Sequence, residues 1–250
     1  MAMASKPNLL KTPRLCLQPF RTEDAQALAT ILTNEEIAQT YMIPVFTCWE
    51  DALLLAERFR QLSAEENRVV YGIYRDETLI GFANEVSREG SAMEVGYVIH
   101  PDYKSRGYAT EALWALIMAV FSMGFDTVRA GAFVENKASL RVMEKCGMIP
   151  TGETEEIDYR GRRYLCVYRA VSLGDVIQEI REMEALFDRL RQGQTEQLRQ
   201  LTDYYEGGRW LRHYMLDEAG LLPKDLKRGV LSEDGVYHLL ADLEKEQACC

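Results

Sequence analysis

Residues 93–113 read MEVGYVIHPDYKSRGYATEAL and carry the most information about the fold. The apolar first part of this segment ends at Pro101, a short basic loop follows, and a helical pattern begins directly after Gly107. This order predicts a strand, a loop and a long helix whose first backbone N–H groups have no partner within the helix. Because such a helix start also has a partial positive charge, the segment is suited to binding a phosphate group.

The composition of the loop supports an anion site. Gly107 and Ala109 lack bulk, so a ligand can approach the backbone closely. Lys104 and Arg106 add positive charge to a chain whose net charge is −10. From the residues alone a second interpretation stays open, in which the segment is only a basic turn before a helix.

Strand patterns alternate with helical ones on both sides of this segment, up to about Ala170. Strands are predicted at residues 15–20, 69–75, 79–86, 92–100, 127–134, 148–154 and 164–170. Helices are predicted at residues 22–32, 47–62, 108–123 and 136–145. Thr47 and Glu50 predict a capping box at the start of the second helix. Elements in this order predict an α/β (α+β) fold with a mixed sheet covered by helices.

After Ser172 the pattern is helical throughout. Five apolar residues recur every three or four positions and predict a helix with one apolar face: Val176, Ile180, Met183, Phe187 and Leu190. Further helices are predicted at residues 196–205, 209–216 and 233–244. We therefore predict a first domain of residues 1–170 and a small all-helical domain of residues 171–250, with dimerisation or partner docking as possible roles of the second.

The composition excludes several classes of protein. With 47% hydrophobic and 27% charged residues, the chain is typical of globular proteins, and its acidic balance argues against nucleic acid as the main ligand. The longest apolar stretch, residues 112–121, covers about half a bilayer, and the N-terminus lacks a signal peptide, so no membrane attachment is expected. The six cysteines form no CxxC pair and the three histidines are scattered, so we expect a cytoplasmic protein with free thiols and no metal.

Three motifs resemble those of the GNAT superfamily of acyl-CoA N-acyltransferases, and specifically its branch of ribosomal-protein N-terminal acetyltransferases. KSRGYA at residues 104–109 is similar to the pyrophosphate loop Q/R-x-x-G-x-G/A. NKASLRVMEKCGM at residues 136–148 is similar to the helix N-x-x-S-x-x-x-x-E-K-x-G-F, and TPRLCLQPF at residues 12–20 is similar to the first strand T-x-R-L-x-L-R-P. The resemblance covers about residues 9–170. It implies a mostly antiparallel sheet, acetyl-CoA as cosubstrate and an amine as acceptor.

The same resemblance implies a set of donor-binding residues. They are the backbone at Val98 and Ile99, the N-terminal helix residue Asn136, and the loop residues Lys104, Ser105, Arg106, Gly107, Tyr108, Ala109 and Thr110. Lys104 departs from the usual Gln or Arg, a change that a loop binding through backbone N–H groups should tolerate. Asn136 also has a simpler interpretation as a helix N-cap, and the two roles can coexist.

Two residues are implied to take part in catalysis. Glu94 corresponds to the acid that faces the acceptor and is expected to receive the amine proton, directly or through water. Met143 stands where many of these enzymes have a tyrosine general acid, so Ser139 is expected to donate to the leaving sulfur instead. The alternatives are a solvated acid at a strand edge for Glu94 and a helix-surface residue for Ser139.

The acceptor side is less defined by the sequence. Arg162 lies in an arginine cluster of the last hairpin and could bind an acceptor carboxylate; the alternative is a solvated surface charge. Tyr41 and Trp49 could line a lid formed by the first helices, and the alternative for them is packing alone. A protein or peptide α-amine and a small-molecule amine both remain open as acceptor. A non-catalytic acyl-CoA-binding module that signals through its helical tail is the alternative function. The tail itself, at residues 225–240, resembles a small bacterial helical family with no assigned function.

Overall fold

The computed structural model describes residues 4–194 and 196–248. The chain divides into two compact units, residues 1–171 and residues 172–250. Whether each of them folds as an independent domain, as the sequence predicts, stays a prediction. Among the described residues no helix is both long and apolar enough to cross a membrane.

The first unit is built on one sheet, in which the described strands follow the order β1-β2-β3-β4-β5-β6-β8-β7. The strands are Leu10–Lys11 (β1), Cys16–Gln18 (β2), Val70–Arg75 (β3), Thr78–Glu89 (β4), Ala92–Ile99 (β5), Thr127–Phe133 (β6), Ile149–Tyr159 (β7) and Arg162–Ser172 (β8). Strands β1 to β5 pair antiparallel in sequence, β7 pairs antiparallel with β8, and β5 pairs parallel with β6. The predicted mixed, mostly antiparallel fold is therefore confirmed.

Helices cover both faces of this sheet. They are Ala25–Leu32 (α1), Glu35–Ala38 (α2), Trp49–Ala64 (α3), Tyr108–Ser122 (α4) and Lys137–Lys145 (α5). On one face, α1 and α3 form a core with sheet residues that include Tyr74, Phe82 and Val98. Because successive strand residues point to opposite faces, Glu94 and Gly96 share the face of Val98, whereas Tyr97 faces the other side, where its hydroxyl meets α5.

Some of the boundaries predicted from the sequence differ from those in the structure. Both β7 and β8 are longer than predicted, and a tight turn at Arg160 and Gly161 joins them. Strand β7 is exposed over most of its length and needs few apolar residues. The acidic residues from Glu153 to Glu156 therefore lack the apolar alternation from which a strand is predicted. Strand β4 continues beyond Val86, where the register with β5 shifts.

The predicted capping box at Thr47 is wrong. The helix begins at Trp49, and Cys48 is its N-cap residue. The Thr47 hydroxyl donates to the Asp51 carboxylate at 2.6 Å instead of accepting from the helix backbone. Thr47 therefore lies before the helix, and its hydroxyl is bonded to a carboxylate of the first turn.

The second unit is helical, as predicted. Its described helices are Leu173–Arg191 (α6), Leu198–Glu206 (α7), Arg209–Glu218 (α8) and Glu233–Ala248 (α9). The Ser172 hydroxyl accepts from the backbone N–H of Asp175 at 3.0 Å and so caps α6, whose five stripe residues are all buried. Trp210 is buried and donates to the carbonyl of Val230 at 2.8 Å, which confirms core packing for this aromatic residue.

Candidate active site

Two neighbouring strands inside the sheet, β5 and β6, separate beyond a short contact. Strands β5 and β6 pair from Ala92–Thr127 to Glu94–Arg129. In the described part of the chain both strands continue past this point, to Ile99 and Phe133, without further pairing between them. The facing edge of β5 after Glu94 therefore keeps backbone N–H and C=O groups that an extended ligand could pair with, as an added strand does.

The loop that follows β5 has the geometry of an anion site. Ser105 and Gly107 adopt the left-handed conformation, with φ of +60° and +81°, and α4 begins at Tyr108 directly after Gly107. The loop is exposed from Lys104 to Gly107. The Lys104 ammonium pairs with the Glu36 carboxylate at 2.5 Å, so backbone N–H groups are the better candidates for binding a phosphate.

The start of α4 is tied to the N-terminal segment by one carboxylate. Glu111 accepts from the Thr12 hydroxyl at 2.6 Å, from the Arg14 backbone N–H at 2.8 Å and from Arg14 Nε at 2.7 Å. Arg14 also donates to the carbonyl of Arg106 in the loop, at 2.8 Å. Burial opposes ionisation, but these hydrogen bonds and the Arg14 charge outweigh it and lower the pKa of Glu111. Glu111 therefore has a structural role beneath the loop.

Glu111→Gln is expected to lower the free energy of unfolding by about 1–3 kcal/mol, because a charged acceptor of several hydrogen bonds is lost. Urea denaturation at neutral pH measures this difference. Since the pKa of the folded-state carboxyl is lowered from 4.5, its contribution is present above that ordinary value and disappears as the pH falls through the folded-state pKa. The difference between wild type and variant should shrink accordingly in acid. Glu89→Gln, at the exposed end of β4, is the control and should change stability by less than about 0.5 kcal/mol.

A cavity of about 430 Å³ adjoins the separated strands on the face covered by α1 and α3. Gly96 from β5 and Gly131 from β6 both line it. Its polar lining includes Tyr41, Asn84, Glu94, Cys166 and Tyr168. A Cβ atom at Gly96 would lie 2.8 Å from the Tyr41 hydroxyl, so a glycine is needed there for the close approach of Tyr41 to β5.

Glu94 lies at the point where the strands part and lines the cavity. Its side chain is 20% exposed, and its Oε2 lies 3.6 Å from Nε of Arg129. Burial raises the pKa of Glu94; the Arg129 charge opposes this shift, and Glu155 and Glu153 add to it. A half-buried carboxylate with a raised pKa, facing a cavity, has the properties of a general base.

Arg129 is a neighbour of Glu94 that the sequence did not reveal. Its guanidinium lies 3.8 Å from the centre of the Tyr168 ring and forms an ion pair with Glu153. The register of β5 and β6 places it directly beside Glu94. Only the parallel pairing of two strands that are distant in sequence brings these groups together, so no local motif could have indicated the pair.

Ser139 lies on the other face of β5, in α5. Its hydroxyl is 2.8 Å from the hydroxyl of Tyr97, and burial raises the pKa of Tyr97. Asn136 accepts from the backbone N–H of Ser139 at 3.1 Å and is the N-cap of α5, while its contact with a coenzyme stays a prediction. The structure thus provides a tyrosine beside Ser139, although Met143 is buried where the resemblance expects one. Sequence reasoning missed Tyr97 because it lies on a different element from Met143.

Of the three residues expected on the acceptor side, the structure places only Tyr41 in the cavity lining. The Tyr41 hydroxyl donates to Oδ1 of Asn84 at 2.7 Å, and burial raises its pKa to about 12. Trp49 is the first residue of α3 and is exposed. Arg162 is exposed, pairs with Glu135 at 3.2 Å and lies over the Tyr164 ring. Neither Trp49 nor Arg162 is among the residues that line this cavity.

Comparison with known proteins gives two family matches. Residues 14–149 match the model of the acetyltransferase (GNAT) domain, and residues 172–247 match a domain of unknown function, DUF4298. The uncharacterized N-acetyltransferase YoaA of Bacillus subtilis is 28% identical over 158 residues, which are 61% of this chain and 89% of that protein. The uncharacterized N-acetyltransferase YnaD of the same organism is 33% identical over 142 residues, 56% of this chain and 81% of that protein.

Solved structures share the fold of the first unit. One is RimL, a ribosomal L7/L12 alpha-N-protein acetyltransferase in complex with coenzyme A. It superimposes with a TM-score of 0.59 at 16% identity, covering 66% of this chain and 97% of that one. At this identity the likeness concerns the fold.

Proposed function

This chain belongs to the GNAT acetyltransferase family, and we propose that it transfers an acetyl group from acetyl-CoA to a primary amine by direct attack in a ternary complex. The observation that supports this most is the continuity of three features along one segment. Glu94 faces the cavity, the open edge of β5 follows it, and the loop at Gly107 leads into the start of α4. A base, a binding edge for the donor arm and an anion site thus follow one another.

The donor would be bound mainly through backbone groups. The pyrophosphate would accept from the N–H groups at the start of α4, and the pantetheine arm would pair with the free edge of β5 at Val98 and Ile99. Coenzyme A in the RimL structure shows that a protein of this fold accommodates the coenzyme. Asn136 at the start of α5 would add a side-chain contact.

The reaction would proceed in one displacement. The acceptor reaches the cavity as an ammonium ion, and Glu94 receives one of its protons, directly or through water, which frees the nitrogen lone pair. The nitrogen attacks the thioester carbonyl carbon, the C–S bond breaks, and the electron pair of that bond leaves on sulfur. The Ser139 hydroxyl, with Tyr97 beside it, donates a proton toward the thiolate. The second proton of the attacking nitrogen leaves through solvent and replaces the one that Ser139 gave to the thiolate. Glu94 then releases its proton to solvent, so the products are the amide, the free thiol of coenzyme A and one proton.

Ser139→Ala and Tyr97→Phe are expected to lower kcat by about tenfold each, less than the 10²–10⁴-fold typical of a general acid, because water can replace a hydroxyl donor. The acidic limb of the pH–rate profile should not move. Steady-state kinetics with saturating acetyl-CoA measure both. Tyr71→Phe, which removes a buried hydroxyl bonded to the carbonyl of Pro7, is the matched control and should leave kcat unchanged. Equal kcat values for Ser139→Ala, Tyr97→Phe and wild type would contradict a proton donor at Ser139.

Thiol release from acetyl-CoA with a panel of primary amines tests the proposed activity as a whole. Release that depends on an added amine supports a transferase. Tight binding of acetyl-CoA without release for any amine would instead favour the alternative of a non-catalytic acyl-CoA-binding module. The role of the helical unit in dimerisation or partner docking stays a prediction.

A further inference from the structure

We infer that the acceptor is a small primary amine with an apolar body and no carboxylate group, an inference that rests on the proposed acetyl transfer. The inference depends on the side chains that line the cavity. Leu55 and Phe59 from α3 and Val95, Phe133 and Ile157 from the sheet line it, and most of the remaining lining is also apolar. Apolar walls favour a ligand that buries hydrocarbon rather than polar surface.

The charges at the cavity favour a single positive group on the ligand. Its ionisable carboxylates are Glu94 and Glu85. Glu85 pairs with Arg68 at 2.8 Å and with Arg88, and also accepts from the backbone N–H of Val69 at 3.0 Å. Glu94 is held less tightly, since its Oε2 lies 3.6 Å from Nε of Arg129, beyond hydrogen-bond distance. Of the two carboxylates it is therefore the one better able to receive an ammonium group.

A ligand carboxylate would have no partner in this cavity. Among its lining residues, all of which the structure describes, none is lysine, arginine or histidine. Arg129, beside Glu94, is not a lining residue: its Nη1 pairs with Glu153, its guanidinium packs on the Tyr168 ring, and its buried Nε, which makes no hydrogen bond to any residue that the structure describes, lies 3.6 Å from the Glu94 carboxylate. Because burying an unpaired charge is costly, amino acids with a free carboxylate should be poor acceptors.

The polar lining groups are largely occupied by one another. The Tyr41 hydroxyl donates to Oδ1 of Asn84, and Nδ2 of Asn84 donates to the carbonyl of Glu85 at 2.8 Å. The Tyr168 hydroxyl donates to Glu155 at 2.6 Å. A peptide would bring backbone N–H and C=O groups that need partners when buried, and these side chains have few hydrogen bonds left to offer.

Helix α2 and the segment after it are bonded to the hairpin of β7 and β8, which limits the room for a chain that continues beyond the amine. The Tyr159 hydroxyl lies 3.2 Å from the backbone N–H of Ile43 and 3.1 Å from its carbonyl. Arg160 pairs with Glu35 at 2.9 Å. Met42 and Val86 line the cavity and are 52% and 55% exposed, so the cavity borders on solvent at both residues.

Matched pairs of acceptors test the inference on the full chain with saturating acetyl-CoA. 2-Phenylethylamine and phenylalanine differ only by a carboxylate, and hexylamine and 1,6-diaminohexane differ only by a second amine. We expect kcat/KM to be about 10- to 100-fold higher for the first member of each pair, because the extra charge of the second would be buried without a partner. A hexapeptide that begins with phenylalanine should be as poor as the free amino acid.

A variant of Val86, an exposed residue of the cavity lining, provides a second test. Val86→Lys places a cation where the lining has none, so it should supply a partner for the carboxylate of phenylalanine and repel amines. We expect the ratio of kcat/KM for 2-phenylethylamine to that for phenylalanine to fall about tenfold. Leu54→Lys is the matched control, since Leu54 in α3 is 70% exposed and does not line the cavity. It should leave the ratio unchanged.

The outcomes separate the inference from the proposed function. Turnover that favours the peptide, the diamine or phenylalanine would overturn the inference and leave the transferase intact. Absence of thiol release with every acceptor would contradict the transferase. Calorimetric titration of 2-phenylethylamine into the protein with bound coenzyme A would then decide the inference, since saturable binding absent for phenylalanine supports it and no binding overturns it.

Discussion

Replacing Glu94 by Gln is expected to lower kcat by about 10²–10⁴-fold, the range for a lost general base. Glutamine keeps the size of the side chain at the point where β5 and β6 part but cannot accept the amine proton. The affinity for acetyl-CoA should change little, because the loop at Gly107 and the open edge of β5 remain. Steady-state kinetics give the first quantity and isothermal titration calorimetry the second.

The pH dependence of the rate distinguishes this role from a purely structural one. Burial raises the pKa of Glu94 above 4.5. A protonated Glu94 cannot receive a proton, so the rate of the wild type should fall as the pH drops through this raised value. The acidic limb should disappear in Glu94→Gln, whereas the limb set by the acceptor amine should stay.

Glu156→Gln is the matched control for this variant. Glu156 is an exposed acid on β7 that pairs with Arg163 at 3.3 Å, and its replacement should leave both the rate and the profile unchanged. A nearly normal rate in Glu94→Gln with an unshifted acidic limb would show that solvent deprotonates the amine. The enzyme would then act mainly by holding the thioester and the amine together.

Gly107→Glu is expected to weaken acetyl-CoA binding by about 100-fold. Repulsion between a carboxylate and the pyrophosphate contributes about 1–3 kcal/mol at the effective dielectric of a protein surface. The left-handed conformation of Gly107, with φ of +81°, costs a residue with a Cβ atom about 1–2 kcal/mol, and this cost weakens binding to the extent that the free loop of the variant relaxes to another conformation. Isothermal titration calorimetry on the folded variant measures the loss.

Two controls separate charge from strain in this variant. Gly107→Gln has the same strain and nearly the same size without the charge, so it should bind acetyl-CoA more tightly than Gly107→Glu. Gly90→Glu changes another glycine with positive φ, at an open turn between β4 and β5, and should bind like wild type. Equal affinity of wild type and Gly107→Glu would remove the loop as a phosphate site.

Local pattern was enough to predict the segment from β5 to α4. A strand ended by proline, a loop with a glycine and an apolar helix leave few alternatives, and the structure has α4 beginning at Tyr108, as expected. The exposed strand β7 was harder to delimit because acidic residues replace the apolar alternation on which strand prediction depends. The local sequence pattern therefore predicts an element well where that element is buried, because burial requires apolar residues at regular spacing.

The environment of the candidate site could be predicted only in part. Glu94 and Ser139 came from motifs, but their neighbours Arg129 and Tyr97 follow from strand register and from the packing of α5 against β5. Trp49 was expected to line a lid formed by the first helices, and Arg162, in the last hairpin, to bind an acceptor carboxylate. Proximity along the chain does not determine the direction of a side chain, and both are exposed outside the cavity.

The short contact between β5 and β6 divides the sheet into a five-stranded and a three-stranded section. These sections are joined by the pairing between residues 92–94 and 127–129. A donor arm that pairs along the open edge of β5 would add hydrogen bonds between the two sections. Coenzyme binding would therefore also stabilise the folded state against unfolding. Amide hydrogens of Val95–Ile99 should therefore exchange with solvent more slowly in the donor complex than in the free protein, and the cooperativity of unfolding should rise with coenzyme concentration.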